Sequence, residues 1–173
     1  MNAQKIQNKL IGLMIFLGCS LSIGQDAPVD TAKSTTFKPK VHLIYMGGND
    51  CPPCVAWRQF ELPKLQKTLS FQAIEFDYVT KLIRSPVPAS FFLPQAVKPY
   101  KDLLDTASGR AGGSPQFALL VDGRIHDYYF GTRDANVTEQ MLQAALTGSP
   151  YPVPKRCLQL SSHNPRMCIV EAP

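Results

Sequence analysis

Two cysteines separated by two prolines, Cys51-Pro52-Pro53-Cys54, are the residues of this chain best suited to chemistry. Thiols at this spacing can close into a disulfide, and the open pair can exchange with a disulfide elsewhere. The thiolate is the reactive form of cysteine. A helix N-terminus stabilises it with unpaired N–H groups and partial positive charge. Pro52 and Pro53 have no N–H, so the first free backbone donor after Cys51 belongs to Cys54. Proline also suits the first turn of a helix, where its missing donor costs nothing. Cys51 is therefore the candidate nucleophile, expected to be the more exposed and more acidic of the two. Cys54 is the candidate resolving cysteine. A purely structural disulfide is a second use of the pair. A third is half of a zinc site completed by Cys157 and Cys168, although that second pair lacks the short zinc spacing, so no metal ligand is assigned.

These cysteines need a rigid element on either side. Val41 to Met46 is a continuous apolar run, which suits a central strand buried on both faces. Gly47-Gly48-Asn49-Asp50 is turn chemistry. Beyond the motif, Trp57, Phe60, Leu65 and Leu69 recur at helical spacing, predicting a helix from about Pro53 to Leu69 that Pro63 kinks or splits. Residues 71–79 alternate enough to form the next strand. A strand-helix-strand unit implies parallel pairing and a right-handed crossover. Residues 80–113, punctuated by Pro86, Pro88, Pro94 and Pro99, read as an inserted loop and a short helix carrying Val97, Tyr100, Leu103 and Leu104, ending near Gly109. Strands follow at about 116–121 and 124–130, joined by the hairpin signal Asp122-Gly123. A last helix, capped by Asn136 or Thr138, runs to Leu146 with Val137, Met141, Leu142 and Ala145 on one face, and Gly148 ends it. Asn136-Val137-Thr138 also matches a glycosylation sequon, but capping is the better account.

Strand, Cys-x-x-Cys, helix, and then Gly112-Gly113-Ser114-Pro115 leading into a strand and an Asp-Gly hairpin, resembles the thioredoxin superfamily over roughly residues 41–147. The resemblance implies an α/β fold: a central mixed sheet flanked by helices, with an inserted helix before the proline loop. It implies a cis bond before Pro115, facing the cysteines, and a substrate segment docked on Ser114. A simple turn proline is the plainer reading of Pro115. Two positions depart from the family. The buried aspartate six residues before the first cysteine is replaced by Tyr45, and the preceding tryptophan by Asp50. Glu75, on the neighbouring strand, is then the candidate proton acceptor for Cys54. Asp50 either opposes the helix terminus by its charge or caps the helix.

The implied activity is thiol–disulfide exchange with exported protein substrates and a redox partner protein, without a cofactor. A rival of another class is a binding or scaffold module of an envelope assembly, its Cys51–Cys54 bond merely structural. Metal delivery is a weaker rival, lacking a methionine or histidine at ligand spacing. His42, His126 and His163 read as strand and tail residues, and Trp57 as core.

At 173 residues the chain is one domain's worth, and its net charge of +5 is spread out rather than clustered, which argues against nucleic-acid binding. Residues 1–24 read as a signal peptide: Lys5 and Lys9 precede an apolar segment from Leu10 to Ile23, and Ser22-Ile23-Gly24 is a small-x-small cleavage site. Removing the two lysines leaves about +3. Phe16-Leu17-Gly18-Cys19 resembles a lipobox, so membrane attachment is expected only if Cys19 is lipidated; plain cleavage and a periplasmic location are the primary expectation. Exported cysteines meet an oxidising compartment. Residues 25–40 read as a linker to a domain spanning 41–148. The proline-rich tail, 149–173, carries Cys157 and Cys168, whose disulfide would stabilise by roughly 2–3 kcal/mol for so short a loop. A second redox pair exchanging with the motif is the sharper alternative.

Overall fold

A computed structural model describes residues 38–155. The signal peptide, Cys19, most of the linker, His163 and the Cys157–Cys168 pair lie outside the described residues.

Four strands form one mixed, open sheet in the order β2-β1-β3-β4. Strand β1 is Val41–Gly47, β2 Glu75–Thr80, β3 Gln116–Val121 and β4 Arg124–Phe130. β1 pairs in parallel with β2, Leu43 opposite Phe76 and Gly47 opposite Thr80. On its other side it pairs antiparallel with β3, Val41 opposite Val121 and Met46 opposite Gln116. Every residue of β1 is buried, and side-chain alternation explains why. Leu43 and Tyr45 enter one core with Phe117, Leu119 and Tyr129. Ile44 and Met46 enter a second core with Val79, Ala118, Leu120 and Tyr128. A run apolar at nearly every position is what a strand covered on both faces requires, and its one charged-type residue, His42, is buried with Nε2 2.8 Å from Asp77 Oδ2. The arrangement, with its helix inserted before the Pro115 loop, is consistent with the thioredoxin-like expectation.

The helix after the motif, α1, is continuous but changes pitch. Pro52–Ala56 is α-helical, Trp57–Glu61 is a π turn, and Leu62–Leu65 is α-helical again. Pro63 supplies no N–H and its ring crowds the carbonyl four residues back, and the wider turn just before it splits the α-helix in two, as Pro63 leads one to expect. The π turn takes in Phe60, and the helix ends at Leu65, short of Leu69. Trp57 and Leu65 are buried, whereas Phe60 is 64% and Leu69 83% exposed, against the expected apolar stripe.

Leu69–Gln72, where the sequence predicts the end of the first helix and the start of the second strand, form a short helix α2. Thr68 caps it, its hydroxyl accepting from Phe71 N at 3.2 Å, and β2 begins only at Glu75. Helix α3, Lys101–Ser108, follows a 3₁₀ turn at Lys98–Tyr100 and closes at Gly109 with φ +60°. The β3–β4 turn places Asp122 and Gly123 at φ +49° and +77°, as a hairpin of this kind demands. Helix α4, Ala135–Thr147, is capped by Asp134, not Asn136 or Thr138: Asp134 Oδ1 accepts from Val137 N at 2.8 Å. Thr138 turns inward and its hydroxyl donates to Asp134 O. Met141, Leu142 and Ala145 of α4 join the Tyr45 core, while Leu104 and Ala107 of α3 join the Ile44 core.

Candidate active site

The motif sits where β1 ends. Gly47 has no room for a side chain, since a Cβ there would meet Cys54 Sγ at 2.9 Å. That absent atom lets the helix start close against the strand. Cys51 is the helix cap: its backbone is extended and its Sγ accepts from Cys54 N at 3.3 Å. The donor skipped by the two prolines is thus used by the first residue able to supply it. Cys51 and Cys54 form a disulfide, with their Cα atoms 5.2 Å apart.

Both cysteines are 0% exposed. The expectation of an exposed Cys51 is therefore corrected. The pair is not perched on the surface but belongs to the same core cluster as Tyr45, Trp57 and Phe117, with Ile83 packed against that cluster.

Tyr45 occupies the ground beneath the motif. Its ring stacks on Trp57 at 4.8 Å and on Tyr78 at 5.2 Å, and its hydroxyl donates to Cys54 O at 3.3 Å. Burial pushes that hydroxyl up to about 12, against the pull of nearby Arg58. It stays protonated at neutral pH. Arg58 reaches across from α1 to Tyr78 Oη and to Asn49 Oδ1, the latter at 2.6 Å. Tyr78 in turn donates to Gly47 O at 3.0 Å.

Ser114 and Pro115 arrive from β3. Met46 is opposite Gln116, so continuing the antiparallel register puts Pro115 opposite Gly47, at the motif's end of the sheet. Pro115 is buried and the Ser114–Pro115 bond is cis. Two side chains that the sequence reading did not single out hold this loop. Lys81 Nζ donates to Gly113 O and to Ser114 Oγ, the second at 3.0 Å. Gln116 Nε2 donates to the same Gly113 carbonyl at 2.8 Å, while its own oxygen accepts from Tyr128. Lys81 is only 5% exposed, and burial lowers its ammonium to about 8, partly offset by Asp50. Nothing in the local spacing around Lys81 marks it. Gln116, the lone polar residue opening a buried apolar run, carried a readable signal.

Glu75 is not part of this site. It faces His42 in the register, five residues back along β1, roughly 16 Å from Gly47 at strand spacing. There it pairs with Lys40 at 3.0 Å and is half exposed. β2 begins later than the sequence suggested, which carries Glu75 to the far end of the sheet. Cys51, not Asp50, caps the helix; Asp50 Oδ2 instead accepts from Ile83 N at 2.9 Å.

A cavity of about 450 Å³ adjoins the motif, lined by Gly48, Asn49, Asp50, Thr80, Lys81 and Leu82. It lies off the carboxyl ends of β1 and β2, where open α/β sheets place their ligand sites. Among the described residues no cluster of three or more His, Cys, Asp or Glu could hold a metal, and no helix is long and apolar enough to cross a membrane. No family model matches the chain, and no curated protein matches it.

Proposed function

We propose that this protein is a thiol–disulfide oxidoreductase of the periplasm, acting on exported proteins through Cys51 and Cys54. The observation that carries the reading is a disulfide at the junction of β1 and α1, with the Ser114–Pro115 loop at the same end of the sheet. In the oxidised protein a substrate thiolate attacks Cys51 Sγ, the Cys51–Cys54 bond breaks, and Cys54 leaves as a thiolate that takes up a proton. A second substrate thiolate then attacks the mixed disulfide. The substrate gains a disulfide, Cys51 leaves as a thiolate, and two electrons have passed to the pair. The reverse sequence, opened by the Cys51 thiolate on a substrate disulfide and resolved by Cys54, uses the same atoms; the partner's potential sets the direction. Ser114 and Pro115 would seat the substrate chain beside Cys51.

The test is trapping. Cys54→Ser should accumulate mixed disulfides with partner proteins, because attack survives and resolution is lost. Cys51→Ser should accumulate none. Equal trapping by both variants would remove the assigned roles.

The burial of both cysteines favours a second reading, a scaffold module whose Cys51–Cys54 bond only braces α1. The reduction potential separates the two. Exchange catalysts lie between about −120 and −270 mV, whereas structural disulfides lie below about −300 mV.

A further inference from the structure

The segment Lys81–Arg84 runs directly from the end of β2 between the 48–50 turn and the 112–114 loop. It is tied on both sides. Lys81 N donates to Gly47 O at 3.2 Å and Ile83 N to Asp50 Oδ2 at 2.9 Å. Lys81 Nζ holds Gly113 O and Ser114 Oγ on the opposite wall. Both walls are cut back to let its backbone through. A Cβ on Gly48 would clash with the Lys81 carbonyl, and one on Gly112 with the Arg84 carbonyl. Ile83 packs inward against the cluster holding the cysteines, whereas Leu82, next to it, is 67% exposed.

We infer that Lys81–Arg84 is a strap that closes the Cys51–Cys54 pair off from solvent, and that Lys81 is its latch and a specificity-determining residue for disulfide exchange. The inference rests on the oxidoreductase reading for its purpose, not for its geometry. A disulfide with no exposed surface cannot be attacked in line by an incoming sulfur, so something beside it must move first. The strap is the segment whose attachment to the site is mostly through side chains: Lys81 on one wall and Asp50 on the other. Small thiols gain nothing by displacing it and exchange slowly. A polypeptide that takes over the Ser114 loop and the exposed Leu82 compensates for the lost bonds, so protein substrates are preferred over small ones.

The purified oxidised chain is treated with a water-soluble phosphine, which needs no docking. The phosphine attacks one sulfur, takes oxygen from water to become its oxide, and leaves two thiols. Freed thiols are counted with time. Lys81→Met should be reduced about tenfold faster than the natural protein, since it loses two hydrogen bonds from a charged donor. Lys81→Arg, which keeps the charge and donors, should stay near the natural rate. Asp50→Ala, releasing Ile83 N, should speed reduction about threefold and decides the matter if Lys81→Met fails to fold. Equal rates for the natural protein and whichever of Lys81→Met and Asp50→Ala folds overturn the strap. Failure of the oxidoreductase reading would show separately, as absent trapping by Cys54→Ser, with the phosphine rates unaltered.

Discussion

At Tyr45 a neutral hydroxyl stands where the thioredoxin resemblance expects a carboxylate. With its pKa pushed up to about 12, it donates to Cys54 O and cannot take a proton at neutral pH. Glu75 is too far away. On the oxidoreductase reading, a proton released or taken up at Cys54 would pass without a carboxylate base from either position. Lys81 gives a pH signature of its own. Its ammonium ionises at about 8 in the folded protein and near 10.5 when unfolded, so the unfolded chain binds more protons between those values. Stability should rise with pH across that window, and the contribution is lost as pH falls through 8. The urea midpoint of the natural protein, compared with Lys81→Met from pH 7 to 10.5, should shift in favour of the natural protein as pH rises. A constant gap would show that Lys81 is as well solvated folded as unfolded.

The elements around the motif were readable to different degrees. The largely apolar β1 and the Asp122-Gly123 hairpin were plain, because each answers to one local rule: burial on both faces, and positive φ at both turn residues. Cys51, Cys54 and Pro115 were legible as types at a spacing. The path of α1 was not. A π turn takes in Phe60 and the helix ends at Leu65, so Leu69 falls in the separate helix α2; no periodicity rule anticipates either, and both residues were misplaced. Glu75 failed for a related reason: a four-residue helix used up the chain that would have lengthened β2. Lys81 was invisible because its role depends on where the 112–115 loop lies, a contact across thirty-two residues. Asp134 was passed over as a cap for residues two and four positions later. Asp134→Ala should cost about 1 kcal/mol in denaturant unfolding while leaving disulfide exchange unchanged. A loss below about 0.3 kcal/mol would mean that the capping bond does not hold the first turn of α4.

Across the whole molecule, α1 is tied to the β4–α4 junction behind the disulfide. Trp57 Nε1 donates to Arg133 O at 3.0 Å, and Ala135 N donates to Glu61 Oε2 at 2.8 Å. Both anchors on α1 fall within its π turn. The Arg133 side chain turns the other way, into a buried pair with Asp127 at 3.1 Å, lying over the Tyr129 ring at 3.9 Å. Tyr151 donates to the same carboxylate, and burial together with Asp127 raises its own hydroxyl. Removing one partner of such a pair leaves a buried charge without its counterion. Arg133→Met should therefore destabilise by about 3 kcal/mol in thermal or urea unfolding. Because α1 is held by the Arg133 main chain, the Cys51–Cys54 potential should stay within about 15 mV, a change of half that needed for a tenfold shift in the equilibrium. A larger change would place the ion pair in the redox device itself.

Among the described residues the strand order leaves β2 and β4 as the two outer strands of the sheet. An outer strand offers unpaired main-chain donors and acceptors to any other extended chain, including a second copy of itself. On β2 the residues at that margin include Glu75 and Asp77, two carboxylates in three positions. A like strand laid alongside would bring these carboxylates, together with the Lys40 and His42 that pair with them, against their own copies. On β4 the pairing with β3 slips between Leu119 and Leu120, and such irregularity twists a margin away from the flatness that stacking needs. Charged side chains on one margin and an irregular ladder on the other are the features by which a sheet resists edge-to-edge pairing.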